Sequence, residues 1–256
     1  MKLFYNSIDI EKQHATQNKR LIKNIMVIRA ANRYQAFGIH IVISALIFLI
    51  LASIIVFVWY PEFLFETDGG WEGIRLIASV DFIIGPTLTL IIYKVGKAGL
   101  KFDLFLIGLI QFCCLFAGSW VVYQERPVAI IYVDGVFQTM SKDSFDFHEI
   151  NINEVFKLDN KIPAWVYVEL PQDKSERKEI LKNQLNDGLI HARADLYRPY
   201  KENLQIILQE NIDLTLVDED IIKTLSYSGI LFNYKARYGI GYIEINKDTG
   251  DYIAIH

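Results

Sequence analysis

Three long apolar runs in the first half of the sequence decide what this chain can fold into. They cover residues 38–60, 74–93 and 104–123. A helical run of about 20 residues rises about 30 Å, the thickness of the hydrocarbon core of a bilayer. The first and third runs contain no Asp, Glu, Lys or Arg, whereas the second contains Arg75 and Asp81. The sequence therefore predicts a membrane protein with three N-terminal transmembrane helices.

Charged residues on either side of these runs predict how the helices are oriented. Residues 1–36 contain seven Lys and Arg against two acidic residues, and three lysines lie between the second and third runs. The loop 61–73 contains four acidic residues and no Lys or Arg. By the positive-inside rule, the N-terminus lies in the cytoplasm, and everything after residue 123 lies on the other side of the membrane.

Residues 1–37 form a basic cytoplasmic arm ahead of the first run. Within it, residues 18–33 have the pattern of a basic amphipathic helix suited to lying on the inner leaflet. The alternative is a solvated tail that only sets the topology. We do not expect a cleaved signal peptide, because the apolar stretch is too long, begins deep in the chain and lacks a small-residue cleavage site.

Asp81, Gly85 and Pro86 interrupt the second run. Pro86 has no amide hydrogen and its ring crowds the carbonyl of Phe82, so we expect a bend here. A carboxylate at the centre of a span costs about 2.5–3.5 kcal/mol on insertion scales. Three roles stay open: packing between helices, a docking face for another transmembrane helix formed by Asp81 and the Gly85-Pro86 bend, and an ion or proton pathway.

Hydroxyl and amide side chains in the three runs predict two polar levels between the helices. Counting residues from the outer end of each run places Asp81 about 10 Å deep, near Ser53 and Ser119. Interhelical hydrogen bonds at such levels hold helices together while apolar faces contact lipid. The second level, nearer the cytoplasm, contains Ser44, Thr89 and Gln111.

From residue 124 to residue 256 the pattern changes to that of a small α+β domain on the outer side. We expect a sheet with helices on one side of it. Two β-type runs flank Asp134-Gly135, which predicts a hairpin with a type I′ turn. The other predicted elements are a strand at 165–170, helices at 173–187 and 200–209, a short helix starting at 218, and a final hairpin at 238–256.

The outer domain contains no motif for catalysis, a metal or a cofactor. His148, His191 and His256 are isolated in the sequence, and we interpret them as surface residues. No glycine-flanked serine, phosphate-binding loop or zinc-protease helix occurs. The sequence therefore predicts a protein that is not an enzyme and has no cofactor, and the lack of a basic stripe argues against nucleic acid as a partner.

Tyr197, Arg198 and Tyr200 cluster around a proline in the outer domain. Tyr and Arg are enriched among the residues that anchor protein interfaces. This cluster is therefore a candidate partner contact, with a structural role inside the domain as the alternative.

Five segments carry a resemblance to a known family. Together they resemble the type IV pilin accessory proteins of the TfpX/TfpZ kind, and the resemblance covers about residues 33–256. The segments are RYQAFGIHIVISALI (33–47), WYPEFLFETDGG (59–70), VDFIIGPTLTLIIY (80–93), KFDL (101–104) and VVYQERPV (121–128).

The resemblance implies a multi-pass protein of the bacterial inner membrane with a periplasmic C-terminal domain. It implies a non-enzymatic accessory factor, a chaperone or modulator of assembly, that acts with a cognate type IV major pilin. Other inner-membrane proteins of the pilus machine and the lipid bilayer are further expected partners. Two alternatives stay open: a membrane-anchored periplasmic ligand-binding or sensor module, and an enzyme that modifies pilin or glycans.

Overall fold

The structure is a computed structural model of the chain, and it describes residues 32–171, 173–182, 190–210 and 212–256. Three of its helical segments are long and apolar enough to cross a membrane: Arg33–Trp59, Gly70–Ile92 and Leu100–Glu125. They lie close to the three predicted runs. The amphipathic helix predicted at 18–33 lies almost wholly outside the described residues.

Two of these segments change from α-helical to π-helical geometry. The first is α1 (Arg33–Ile54) followed by a π-helical turn. The second begins with α3 (Gly70–Ser79), passes through a π-helical turn and ends with α4 (Gly85–Ile92). A short helix, α2 (Leu64–Thr67), lies between the first two segments. The third segment is a single helix, α5 (Leu100–Glu125).

The described residues divide into two compact units. The first unit contains residues 32–45 and 81–111, and the second contains residues 46–80 and 112–256. The second unit thus combines helical residues with the whole sheet-containing domain. The predicted domain boundaries after residues 37 and 123 stay predictions.

A seven-stranded mixed sheet forms the body of the C-terminal domain. The strands have the spatial order β4-β3-β1-β2-β5-β6-β7. β1 pairs with β2 in antiparallel and with β3 in parallel orientation, so it lies in the interior of the sheet. The strands are β1 (Pro127–Val133), β2 (Val136–Ser141), β3 (Ala164–Val168), β4 (Tyr197–Pro199), β5 (Gly229–Lys235), β6 (Ile240–Asn246) and β7 (Tyr252–Ile255).

Both faces of the sheet carry an apolar core. Successive side chains of a strand point to opposite faces, and along β1 Ile131 joins one cluster whereas Ile130 and Tyr132 join the other. Val155, from a helix, packs into the first cluster, and Ile207, from another helix, packs into the second. The prediction of helices on one side of the sheet is therefore wrong. The helices of the domain are α6 (Lys142–Phe147), α7 (Ile152–Leu158), α8 (Lys174–Lys182), α9 (Leu204–Ile207) and α10 (Glu219–Thr224).

The predicted turn at Asp134-Gly135 and the predicted start of a helix at Asp173 are confirmed. Asp134 and Gly135 both have positive φ, 50° and 81°, as a type I′ turn requires. The Asp173 carboxylate accepts hydrogen bonds from the backbone amides of Ser175 and Glu176 at 3.0 and 2.9 Å, so it caps α8. The predicted end of this helix, at residue 187, lies outside the described residues.

The third long helix and the sheet are joined by a single residue. α5 ends at Glu125 and β1 begins at Pro127. Between them, the Arg126 guanidinium donates a hydrogen bond to the Tyr123 carbonyl at 2.6 Å and lies 3.7 Å from the centroid of the Tyr123 ring. The helix thus passes directly into a buried strand.

Asp68, in the loop after α2, ties that loop to the sheet. Its carboxylate accepts hydrogen bonds from Thr139 on β2 at 2.5 Å and from Tyr234 on β5 at 3.3 Å. The Thr67 hydroxyl donates to the same carboxylate at 2.7 Å. Burial raises the pKa of the Asp68 carboxyl above its ordinary value of 3.8, and the hydrogen bonds from Thr139 and Thr67 partly oppose that rise.

Candidate functional site

The side-chain amide of Gln111 is the centre of a polar cluster in the first compact unit. Its nitrogen donates hydrogen bonds to Ser44 Oγ at 3.2 Å and to Asp81 Oδ1 at 3.1 Å. Its oxygen lies 2.7 Å from Nε2 of His40. Both N–H donors and the oxygen of the amide are therefore used, and these three hydrogen bonds connect α1, the π-helical turn before α4, and α5.

His40 extends the cluster to α4. Its Nδ1 lies 2.6 Å from the Thr89 hydroxyl. Since Gln111 Oε1 is an acceptor only, His40 Nε2 carries a proton and donates it to that oxygen. A neutral ring then accepts from the Thr89 hydroxyl at Nδ1, and a doubly protonated ring donates there. The ring thus bridges α4 and α5 through two hydrogen bonds.

Asp81 is the acidic member of the cluster, and it is fully buried. Its relative exposure is 0%. Oδ1 accepts from Gln111, but Oδ2 has no hydrogen-bond partner among the described residues. A buried polar atom without a partner costs about 1–3 kcal/mol, so Asp81 is the least satisfied member of this cluster.

Gly85 and Pro86 are placed next to this network by a change in helix geometry. The turn Val80–Ile84 is π-helical, and α4 starts immediately after it with Pro86 at its beginning. A Cβ atom at Gly85 would overlap the Gln111 side-chain oxygen. The absence of a side chain at Gly85 therefore lets the amide of Gln111 reach Asp81 and His40.

The structure brings together residues that the sequence assigned to different levels. Asp81 lies with Ser44, Thr89 and Gln111, so the prediction of two separate polar levels is wrong. Ser53, predicted as a partner of Asp81, instead donates to the Leu49 carbonyl at 2.7 Å. Sequence reasoning missed His40 as a member of the cluster.

Tyr197 and Tyr200 of the C-terminal domain are buried, at 5% and 2% exposure. The Tyr197 hydroxyl donates to the His191 carbonyl at 2.5 Å, and the Tyr200 hydroxyl donates to the Gly250 carbonyl at 3.1 Å. Burial raises the pKa of both phenols. Arg198 is more exposed and forms an ion pair with Glu169 at 2.8 Å. Partner binding by these residues stays a prediction, and Arg198 is the member that solvent reaches.

All three histidines of the C-terminal domain are less exposed than the sequence predicted, because each is partly buried. His191 is partly buried, and burial lowers its pKa to about 4. His256 Nε2 lies 3.0 Å from the buried carboxylate of Glu244. Within the described ranges, no three side chains of His, Cys, Asp and Glu come together as a metal site.

The chain has three helices that are long and apolar enough to cross a bilayer, and a sheet-containing domain follows them. This combination indicates a membrane protein. The chain is similar to curated proteins of Dichelobacter nodosus over part of its length. It is 33% identical over 116 residues to the fimbrial assembly protein of serogroups C1 and C2, a match that covers 44% of this chain and 88% of the relative.

Two longer relatives match over the same number of residues. The fimbrial assembly proteins of serogroups E1 and I are 34% and 33% identical to the chain over 116 residues, with 45% of each relative covered. The chain thus spans about half the length of these two relatives. The chain belongs to the fimbrial assembly protein family. No family model and no solved structure matches it.

Proposed function

We propose that this protein is a non-enzymatic accessory factor for fimbrial assembly, anchored in the bacterial inner membrane. It resembles the TfpX/TfpZ kind of type IV pilin accessory protein, and it acts on a cognate type IV pilin by binding it through the helices and the periplasmic domain. The observation that carries the proposal is the match to relatives that are named fimbrial assembly proteins, one of which is covered over 88% of its length.

The arrangement of the helices and the sheet supports a binding role. A fimbrial subunit that waits in the membrane presents an apolar helix in the bilayer and a folded head outside it. A partner with both membrane helices and an outer domain meets the subunit at two places, which raises the effective concentration for the second contact. Contact at two places also discriminates one subunit type from another.

Deletion of the gene tests the biological role. We expect the deletion strain to lose surface fimbriae while the fimbrial subunit is still produced and still reaches the membrane. Electron microscopy counts the fimbriae, and immunoblotting of membrane fractions measures the subunit. Normal fimbriation would contradict the proposal. Loss of a covalent modification on the subunit would instead favour an enzyme.

Site-specific photo-crosslinking tests the direct contact. A photoreactive amino acid at position 198 replaces a half-buried side chain next to two buried tyrosines. We expect adducts with the fimbrial subunit at position 198 and none at position 227, where Tyr227 is 98% exposed in the same domain. Adducts at both positions would indicate unspecific collision, and adducts with other pilus proteins alone would eliminate subunit binding.

A further inference from the structure

A cleft of about 620 Å³ opens in the first compact unit, next to the polar cluster. Its walls are mostly apolar, and the polar cluster contributes His40 and Thr89 to its lining. The wall on α1 runs from Ala36 to Ile43, and the wall on α5 runs from Lys101 to Gly108. Seven residues of helix rise about 10 Å, so the cleft follows the helices for several carbon atoms of an acyl chain.

One end of the cleft lies at the loop between α4 and α5. Val95 and Gly96 line this end, and Val95 is 62% exposed. Gly108 lines the α5 wall, and no heavy atom lies within 4 Å of a Cβ atom built on it. The space beside Gly108 is therefore empty of side chains from the described part of the chain.

The charges at the loop end are predominantly positive. Lys94 and Lys97 lie between α4 and α5, and Lys101 lies in the first turn of α5. Asp103, also in the first turn of α5, forms an ion pair with Lys97 at 2.7 Å. Lys101 lines the cleft, is exposed, and has no ion pair with another described residue. The cleft thus combines apolar walls with the unpaired positive charge of Lys101 at its mouth.

We propose that this cleft binds an anionic phospholipid, with one acyl chain along Gly108 and Ile43 and the phosphate at Lys101. The apolar walls match the chain, and the positive charge at the mouth complements the phosphate. Basic pockets between transmembrane helices are sites where anionic lipid headgroups are held, with about 1 kcal/mol gained per lysine near the surface. This site is separate from the partner binding proposed above.

Lipid binding to the purified full-length protein tests the site. After delipidation in a mild detergent, phosphatidylglycerol is added, and retained lipid is counted by native mass spectrometry while the unfolding temperature is recorded. We expect phosphatidylglycerol to be retained and to raise the unfolding temperature more than phosphatidylethanolamine of the same acyl chains. Equal responses to the two lipids would overturn the proposal, and so would an equal response to inorganic phosphate alone.

Two variants distinguish the headgroup contact from the acyl-chain contact. Lys101→Gln should lower the apparent affinity for phosphatidylglycerol about fivefold, the ratio that corresponds to about 1 kcal/mol for one lysine. Gly108→Leu should fill the cleft and abolish retention of the lipid. A leucine at Gly38, where a Cβ atom also meets no heavy atom within 4 Å, is the matched control and should retain it.

The variants also separate lipid from a protein occupant. If Gly108→Leu binds phosphatidylglycerol as well as the Gly38→Leu control does, the acyl chain does not lie in the cleft and the proposal is wrong. If Gly108→Leu abolishes crosslinking to the fimbrial subunit while leaving the lipid response intact, the cleft is a docking site for a partner helix. That result would overturn lipid binding.

Discussion

Gln111 holds the polar cluster together because its side-chain amide donates two hydrogen bonds, to Ser44 and Asp81, and accepts one from His40. A carboxylate at this position would repel Asp81, and an apolar side chain would leave three polar groups without this partner. Placing an ionisable group within a membrane segment costs free energy. The hydrogen bond from the neutral amide of Gln111 to Asp81 lowers that cost without adding a second charge. The identity of residue 111 therefore determines whether His40, Ser44 and Asp81 can share one site.

Replacing Gln111 by leucine tests this role. Gln111→Leu should lower the free energy of unfolding by about 1–3 kcal/mol, because buried donors and acceptors lose their partner. Titration with a denaturing detergent, followed by circular dichroism, measures the change. Phe112→Leu alters the next residue, which is 65% exposed, and should have little effect. Equal destabilisation by the two changes would show that the cluster does not stabilise the fold.

Gly85 offers a second test of the same cluster. Gly85→Ala should destabilise the protein by about 1–3 kcal/mol, because the added methyl group overlaps the Gln111 amide. Gly38→Ala is the matched control, since its added Cβ atom meets no heavy atom within 4 Å and alanine favours a helix. The same detergent titration compares the two. A harmless Gly85→Ala would mean that Gln111 can move away without loss.

At the scale of elements, the sequence was most informative where local rules act. Pro86 marked the interruption of the second apolar segment, and Asp134-Gly135 marked a hairpin, because both effects arise within a few residues. The partners of Asp81 depend on how three helices rotate about their own axes. Almost uniformly apolar helices contain little information on that rotation, so His40 could not be assigned to the cluster.

The turn between β1 and β2 gives a prediction for the domain. Gly135 has φ of +81°, where an L side chain is strained, so Gly135→Ala should cost about 1–2 kcal/mol of unfolding free energy. Gly239→Ala is the control, because its Cβ atom would make only ordinary contacts at 3.9 Å with Thr67. Thermal unfolding of both variants measures the difference. A greater loss from Gly239→Ala would contradict the assigned turn.

The loop that contains Asp68 should attach more weakly to the sheet as pH rises. The pKa of Asp68 is raised in the folded state, so its contribution to stability is fully present below the ordinary pKa of 3.8. As pH rises above that value, the unfolded chain loses the proton first and stability falls until pH exceeds the folded pKa.

Asp68→Asn removes this titration. We expect the free energy of unfolding of the natural protein to decrease relative to that of the variant as pH rises above about 4. Chemical denaturation at several pH values measures how the free energy of unfolding of each of the two proteins changes with pH. Identical slopes would show that Asp68 ionises equally easily in the folded and unfolded chains.

At the scale of the whole molecule, the order of three apolar helices followed by a sheet-containing domain could be predicted from the sequence. Length and hydropathy predict the helices, and alternating apolar residues predict most strands. The second apolar face of the sheet could not be predicted, since it is assembled from distant residues such as Ile207 and Phe232. The attachment of Asp68 to Thr139 and Tyr234 likewise joins residues far apart in the chain.

Membrane topology is a prediction for the whole chain. Alkaline phosphatase fused after His256 should be active, because the positive-inside rule places the C-terminal domain in the periplasm. A fluorescent protein that folds only in the cytoplasm should stay dark at the same position. The opposite pattern would place the domain on the cytoplasmic side, where the head of a fimbrial subunit is not found.

The single residue between α5 and β1 has a mechanical consequence. Because Arg126 is fixed on Tyr123 and β1 is buried on both faces, no flexible hinge separates the last helix from the middle of the sheet. A force that tilts or twists this helix therefore acts as a torque on the interior of the domain. A displacement of this end of the helix should therefore move β1 with it.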